Sequence, residues 1–223
     1  PTRGRNLLRV QGDLLAAHAL DVRNVFVVMG DPTAIGDYPE AMDNYDLVPS
    51  GLIKLIKHGF NAGVDHAGME IGQPTSFFTG CALNLNPTDP ANEIKTLRRK
   101  LKNGADFILT QPIYDVQKAI EFRKVIDEEL GGLHTPVLVG LLPLASVRHA
   151  AFLQHEVPGI DIPEPIHQRV AAAGEKGARE GIQIAIELIS QMRPVFQGIY
   201  LMPAFNRFDY AAEIIETVRA EAG

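Results

Sequence analysis

Residues 24–32, NVFVVMGDP, join an unbroken apolar run to an abrupt polar exit. Apolar character without period-two alternation marks a strand covered on both faces, as strands of parallel sheets are. Gly30 permits a tight turn, Asp31 presents a carboxylate, and Pro32 has no N–H with which to continue a ladder. The same sentence of strand, loop and amphipathic helix recurs along the chain. Apolar runs fall at 76–83 (SFFTGCAL), 107–109 (FIL), 136–142 (PVLVGLL) and 198–202 (GIYLM). Helical spacing covers 7–20, 49–63, 90–103, 115–130, 178–192 and 208–222, with Leu97, Leu101 and Ala105 marking one apolar stripe. Strand and helix in alternation predict stacked βαβ units and an α/β fold.

Pro32, Pro87, Pro112, Pro143 and Pro203 follow the runs and are expected to end the strands. Polar residues stand beside them: Asp31, Asn86, Gln111, Ser146 and, slightly later, Arg207. In a (β/α)₈ barrel the C-terminal strand ends build the active site, so these residues would converge on one mouth. The pattern yields about five strands, where a closed barrel has eight. The chain also opens directly on a helix. Pattern alone leaves two readings open: an open doubly wound sheet, or a barrel lacking about three front strands.

The 223 residues, 46% hydrophobic, suit one domain spanning 1–223. The net charge of -6 and the absence of a basic stripe argue against a nucleic-acid binder. Cys81 is the single cysteine, which excludes an internal disulfide and a cysteine zinc cage and fits a reducing, cytoplasmic setting. No apolar stretch approaches the roughly 20 residues of a membrane helix. The first residue is Pro1 and no hydrophobic leader follows, so the sequence is expected to be a piece of a longer chain.

Three stretches carry candidate chemistry. Gly30 and Asp31 suit close approach to a ligand, or a plain turn with an aspartate cap. Gln111, at the end of a strand, can donate to and accept from a flat heterocycle with amide-like edges, or merely satisfy a nearby loop. Arg98, Arg99, Lys100 and Lys102 form either a solvated helix face paired with Glu93 or a cationic hold on a phosphate. The seven histidines show no metal spacing, and there is no G-x-S-x-G elbow. No strand-end lysine suits a Schiff base. Reactivity would therefore come from a cofactor.

Taken together, these stretches resemble the methylenetetrahydrofolate reductase family. The likeness runs through Arg5-Asn6-Leu7-Leu8, Gln11-Gly12-Asp13, Gly30-Asp31-Pro32 and Gly36-Asp37-Tyr38-Pro39. It continues through 97–106 (LRRKLKNGAD), 109–115 (LTQPIYD), 140–144 (GLLPL), 156–160 (EVPGI) and 200–207 (YLMPAFNR). The stretch at 36–39 is most similar to the bacterial form fused behind a homocysteine methyltransferase domain. The resemblance implies a (β/α)₈ TIM barrel, of which this chain carries about the last five strands and their helices. It implies FAD at the mouth, NAD(P)H as hydride donor, and reduction of 5,10-methylenetetrahydrofolate to 5-methyltetrahydrofolate in methionine metabolism. Gly30 and Asp31 then match the loop beside the flavin ring and the pterin, Asp31 in a supporting catalytic role. Glu93, Thr96, Arg99 and Lys100 match the helix holding the ribityl and phosphate groups. Gln111 matches a glutamine that meets folate and nicotinamide in turn, and Arg207 an arginine near the substrate. The general-acid glutamate of the first strand and a flavin-contacting histidine expected before Pro1 have no counterpart. Met29 and Asn86 depart from residues common in relatives. A homo-oligomer fits this picture. The rival readings are a barrel reduced by a partner protein and a non-catalytic flavin- or folate-binding fragment.

Overall fold

The structure is a computed structural model that describes residues 1–157 and 159–221. Five strands form one sheet in sequence order: β1 (Asn24–Val27), β2 (Phe78–Leu83), β3 (Phe107–Pro112), β4 (Val137–Leu141) and β5 (Gly198–Leu201). β1 pairs with β2 in parallel, Asn24 opposite Phe78 and Val27 opposite Cys81. β4 pairs with β5 likewise, Leu138 opposite Gly198 and Leu141 opposite Leu201. A doubly wound sheet reverses its strand order at a switch point. This sheet does not reverse, and consecutive strands lying side by side are the order of a (β/α) barrel.

Among the described residues eight α-helices accompany the strands: α1 (Leu7–Ala19), α2 (Pro49–Lys54), α3 (Pro90–Lys102), α4 (Val116–Leu130), α5 (Val147–Glu156), α6 (Glu164–Ala172), α7 (Gly177–Met192) and α8 (Phe208–Ala220). Local chemistry explains their limits. The Asn6, Asp115 and Ser146 side chains accept from the backbone N–H groups of Arg9, Lys118 and His149, capping α1, α4 and α5. Gly131, at φ +70°, closes α4 in the left-handed conformation.

The chain divides into two compact units. One comprises residues 1–82 and 94–108, the other 83–93 and 109–223. In the first, Phe60, Phe77, Ile53, Ile56 and Leu97 are fully buried. Asp106 ties this unit together: its carboxylate accepts from Lys57 Nζ at 2.9 and 2.8 Å and from the Thr79 N–H at 2.7 Å. In the second, Val137, Val139 and Leu141 of β4 are fully buried, with Ile126 and Met192. Gly181 of α7 meets the backbone at Leu144 so closely that an added Cβ would lie 1.8 Å from that carbonyl oxygen.

The structure corrects several sequence expectations. The helix expected over 49–63 is α2 for its first six residues only, then a wide turn over Leu55–Gly59 and a tight one over Phe60–Ala62. β3 does not stop before Pro112 but includes it, and the Ile113 N–H still donates to Gly140 O at 3.0 Å. Successive N–H groups of a strand point to opposite sides, so the one that Pro112 lacks is not the one that serves β4. Helix α6 was not expected at all. The expected helix over 208–222 ends at Ala220, and its last expected position lies outside the described residues. Pro158 of the EVPGI stretch lies outside them as well.

Candidate active site

In the first unit the exit of β1 is braced by the residues at the start of the chain. Thr2 and Arg3 donate their backbone N–H groups to Val28 O and Met29 O, at 3.0 and 2.9 Å. Arg3 Nε donates to Gly30 O at 3.0 Å while its other nitrogen pairs with Asp43 at 2.6 Å. Gly30 sits at φ +88°, and a Cβ there would meet Pro1 Cβ at 3.0 Å. Both facts demand glycine. The turn thrusts Asp31 outward, and its carboxylate is exposed.

Helix α3 supplies the other expected residues of this unit. Arg99 is exposed and Thr96 half-buried. Lys100 departs from both sequence readings of the basic cluster. It is buried, and its Nζ donates to Ala82 O at 2.7 Å. The ammonium therefore satisfies the end of β2 instead of lying on a solvated face. Ile94, Leu97 and Lys100 share the inward stripe of α3 at intervals of three, so the spacing alone carried this signal. Glu93 faces the strand end. Its Oε1 accepts from the Asn84 N–H at 3.1 Å, within the second unit.

That contact opens a polar network at the strand ends of the second unit. Asn84 Oδ1 accepts from the Asn86 N–H at 2.8 Å, and Asn86 Nδ2 donates to Asp161 Oδ2 at 3.3 Å. Lys118 Nζ reaches the same oxygen at 2.9 Å and Asp115 at 3.3 Å. The hydrogen bond from Lys118 holds the Asp161 carboxyl below its ordinary pKa, against an opposing effect of burial. Gln111 is exposed on β3. A Cβ on Gly159 would lie 3.5 Å from Asn84 Nδ2 and 3.8 Å from Gln111 Cγ, so the Asn84 amide and the stem of Gln111 flank one point of the backbone. Glu93 thus joins this network through Asn84, a residue that sequence reasoning passed over, and the stem of Gln111 passes the same glycine as the Asn84 amide. The only sequence signal of Asn84 was its place one residue beyond an apolar run.

Beneath Gln111 the strand ends are tied by hydroxyls. Thr110 Oγ1 donates to Gln111 O at 2.7 Å and accepts from the Gly140 N–H at 3.0 Å. Tyr200 Oη donates to Thr110 O, an approach open only because Gly140 has no side chain to block it. Tyr114 Oη donates to Leu142 O at 2.6 Å, and burial pushes its phenol far above the usual range. Both tyrosines therefore act as fixed donors.

After β5 the chain takes two consecutive left-handed non-glycine residues, Phe205 at φ +55° and Asn206 at φ +57°. Such strain collects at ligand sites and turns that the surroundings enforce. The Phe205 ring meets the His149 ring edge-on at 5.2 Å. His149 Nδ1 accepts from the Ala145 N–H at 3.1 Å, which leaves the proton of the neutral ring on Nε2. With Ser146, Arg148, Phe152 and Ala204 they line a cavity of about 500 Å³. Arg207 is engaged nearby: it makes two hydrogen bonds to Asp209, at 2.9 and 2.7 Å, and lies 3.6 Å over the Tyr210 ring.

A family model described as methylenetetrahydrofolate reductase matches residues 2–222. The chain belongs to this family. Methylenetetrahydrofolate reductase 1 of Schizosaccharomyces pombe is 26% identical over 192 residues, 82% of this chain and 29% of the relative. Methylenetetrahydrofolate reductase 2 of Saccharomyces cerevisiae is 29% identical over 156 residues, 66% of this chain and 23% of the relative. A probable methylenetetrahydrofolate reductase (NADH) of Oryza sativa subsp. japonica is 24% identical over 183 residues, 76% of this chain and 29% of the relative. The chain thus spans less than a third of these relatives. Among solved structures, an uncharacterized Clostridium thermocellum protein that binds two copies of 5-methyl-5,6,7,8-tetrahydrofolic acid aligns with a TM-score of 0.51 at 14% identity. The alignment covers 66% of this chain and 54% of that one. The likeness agrees with the barrel strand order of the methylenetetrahydrofolate reductase family. Among the described residues no helix is long and apolar enough to cross a membrane.

Proposed function

We propose that the chain belongs to an enzyme that reduces 5,10-methylenetetrahydrofolate to 5-methyltetrahydrofolate, with FAD as cofactor and NAD(P)H as hydride donor. The observation that carries this reading is the placement of the Asn84 amide and the stem of the exposed Gln111 beside Gly159, at the strand ends of a chain of this family. A pterin presents an amide edge of adjacent donors and acceptors, and a carboxamide complements it with one donor and one acceptor. Asn84 Oδ1 is already committed to Asn86, so Asn84 offers its N–H group as donor while Gln111 offers both.

The donor set fits a flavin. Asp31 presents an exposed carboxylate suited to the N–H of a pyrimidine ring. Thr96 and Arg99 present a hydroxyl and a guanidinium suited to ribityl and phosphate oxygens. Lys100 supports this surface by fixing the Ala82 carbonyl, and in the other unit Glu93 fixes the Asn84 N–H. When bound, the flavin supplies two-electron transfer, accepting hydride from NAD(P)H and giving it to the methylene carbon of the folate. The work of the protein is placement. Gln111 orients whichever planar ring lies at the mouth, Tyr200 and Thr110 hold its strand end, and Arg207, held in place by Asp209, presents its guanidinium to a carboxylate of a folate tail.

An anaerobic visible spectrum after loading with FAD tests the reading. A flavin band that bleaches with NADH and recovers with 5,10-methylenetetrahydrofolate is the expected result. A band that persists with NADH but bleaches with dithionite would point to reduction by a partner protein. A chain that retains no flavin would remove the roles given to Asp31, Thr96 and Arg99.

A further inference from the structure

We propose that Asp161 is a positioning residue for the amide pair Asn84 and Gln111, an inference that rests on the folate-binding reading above. Asp161 lies between α5 and α6, far in sequence from both amides. Its Oδ2 nevertheless takes Asn86 Nδ2 at 3.3 Å from the loop after β2 and Lys118 Nζ at 2.9 Å from α4. The backbone on its other side is held as well, because the Ile162 N–H donates to Gln154 Oε1 at 2.7 Å. One carboxylate thus joins three segments that surround the amides.

The consequence lies two residues upstream. Gly159, at φ +82°, passes beside Asn84 Nδ2 and Gln111 Cγ. A chain that came closer would press on both side chains, and one that moved away would free their rotamers. Asn86 completes the link, since its N–H fixes Asn84 Oδ1 while its side chain rests on Asp161. The orientation of the Asn84 amide therefore depends on the carboxylate through one intervening residue. An isolated surface ion pair has little energetic weight. Asp161 differs because Asn86 and Lys118 reach it from separate elements, and the N–H of Asn86 in turn fixes the Asn84 amide.

The experiment is a calorimetric titration of the protein with 5-methyltetrahydrofolate, repeated on Asp161→Ala, Asp161→Glu and Lys118→Met, each with a thermal melt. Asp161→Ala should weaken binding about tenfold, the scale of one lost charge-assisted hydrogen bond. Asp161→Glu should restore affinity to within about threefold. Lys118→Met, which changes an exposed side chain, should weaken binding without moving the melt. In turnover, KM for the folate should rise while kcat stays close to that of the parent. Parent-like affinity in Asp161→Ala overturns the inference and leaves the folate reading intact. So does a loss of affinity that only follows a lowered melt in Asp161→Ala, with Lys118→Met binding normally. A parent protein that does not bind 5-methyltetrahydrofolate overturns the folate reading, and the inference falls with it.

Discussion

Lys100 shows how one side chain can reverse the sense of a charge cluster. Arg98, Arg99, Lys100 and Lys102 follow one another closely on α3, and Arg98, Arg99 and Lys102 are exposed. Lys100 is 7% exposed and donates to Ala82 O. Replacing it by Met keeps the stem and leaves the carbonyl without its donor, which should destabilise the fold by about 1–3 kcal/mol in urea unfolding. Arg99→Met should leave stability within about 0.5 kcal/mol, as an exposed substitution does. Gly181 is the opposite case, where the absence of an atom matters. A Cβ at 1.8 Å from a main-chain oxygen cannot be absorbed by a rotamer change. Gly181→Ala should therefore destabilise by more than about 3 kcal/mol or prevent folding, read from soluble yield and circular dichroism.

At the level of elements, Asp106 joins the start of β3 to β2 and to the wide turn after α2, through Thr79 N–H and Lys57 Nζ. Asp106→Ala leaves a half-buried ammonium and a strand N–H without their acceptor. A loss of about 2–3 kcal/mol is expected, with Lys57→Met recovering part of it in a double-mutant cycle. The caps are smaller effects: Ser146→Ala removes the acceptor of the His149 N–H and should cost about 1 kcal/mol. It should also disturb the cavity that His149 and Phe205 line, because the same turn sets the entry angle of α5.

Stability of the whole molecule should depend on acid in two steps. Burial lowers the pKa of His149 below its ordinary 6.5, so the folded protein takes up its proton less readily than the unfolded chain. That contribution is complete above about pH 6.5 and is lost as pH falls through the lowered value. Asp161 is also held low, chiefly by Lys118, so its contribution is present above about pH 3.8 and is lost at still lower pH. Urea unfolding across pH 8 to 3 should show both steps, with His149→Gln flattening the upper one and Asp161→Asn the lower. Hydrogen exchange should rank the strands. Val137, Val139 and Leu141 of β4 are fully buried and should exchange slowest, while β5, no residue of which is fully buried, should exchange sooner.

The sequence by itself determined the alternation of strand and helix, the strand cores, and most helix starts, because these depend on local periodicity and capping chemistry. It also carried the family, through short motifs in order, and pointed to Gly30, Asp31 and Gln111 as strand-end residues. Strand order was beyond it. Apolar runs do not state which run lies beside which, so pattern alone left barrel and doubly wound sheet open; the family resemblance implied the barrel, and the unreversed order of β1 to β5 agrees with it. The break in α2 and the passage of β3 through Pro112 also needed the structure, since packing and the alternating direction of N–H groups overrode residue preference there. The same holds for the polar network. Asn84, Lys118 and Asp161 are separated by 34 and 43 positions, and nothing local in the sequence pairs an amide after one strand with a carboxylate between two later helices. Hydrogen bonds formed by long-range folding exist only once the chain has folded, and those bonds tie Asn84, Asn86, Lys118 and Asp161 into one network.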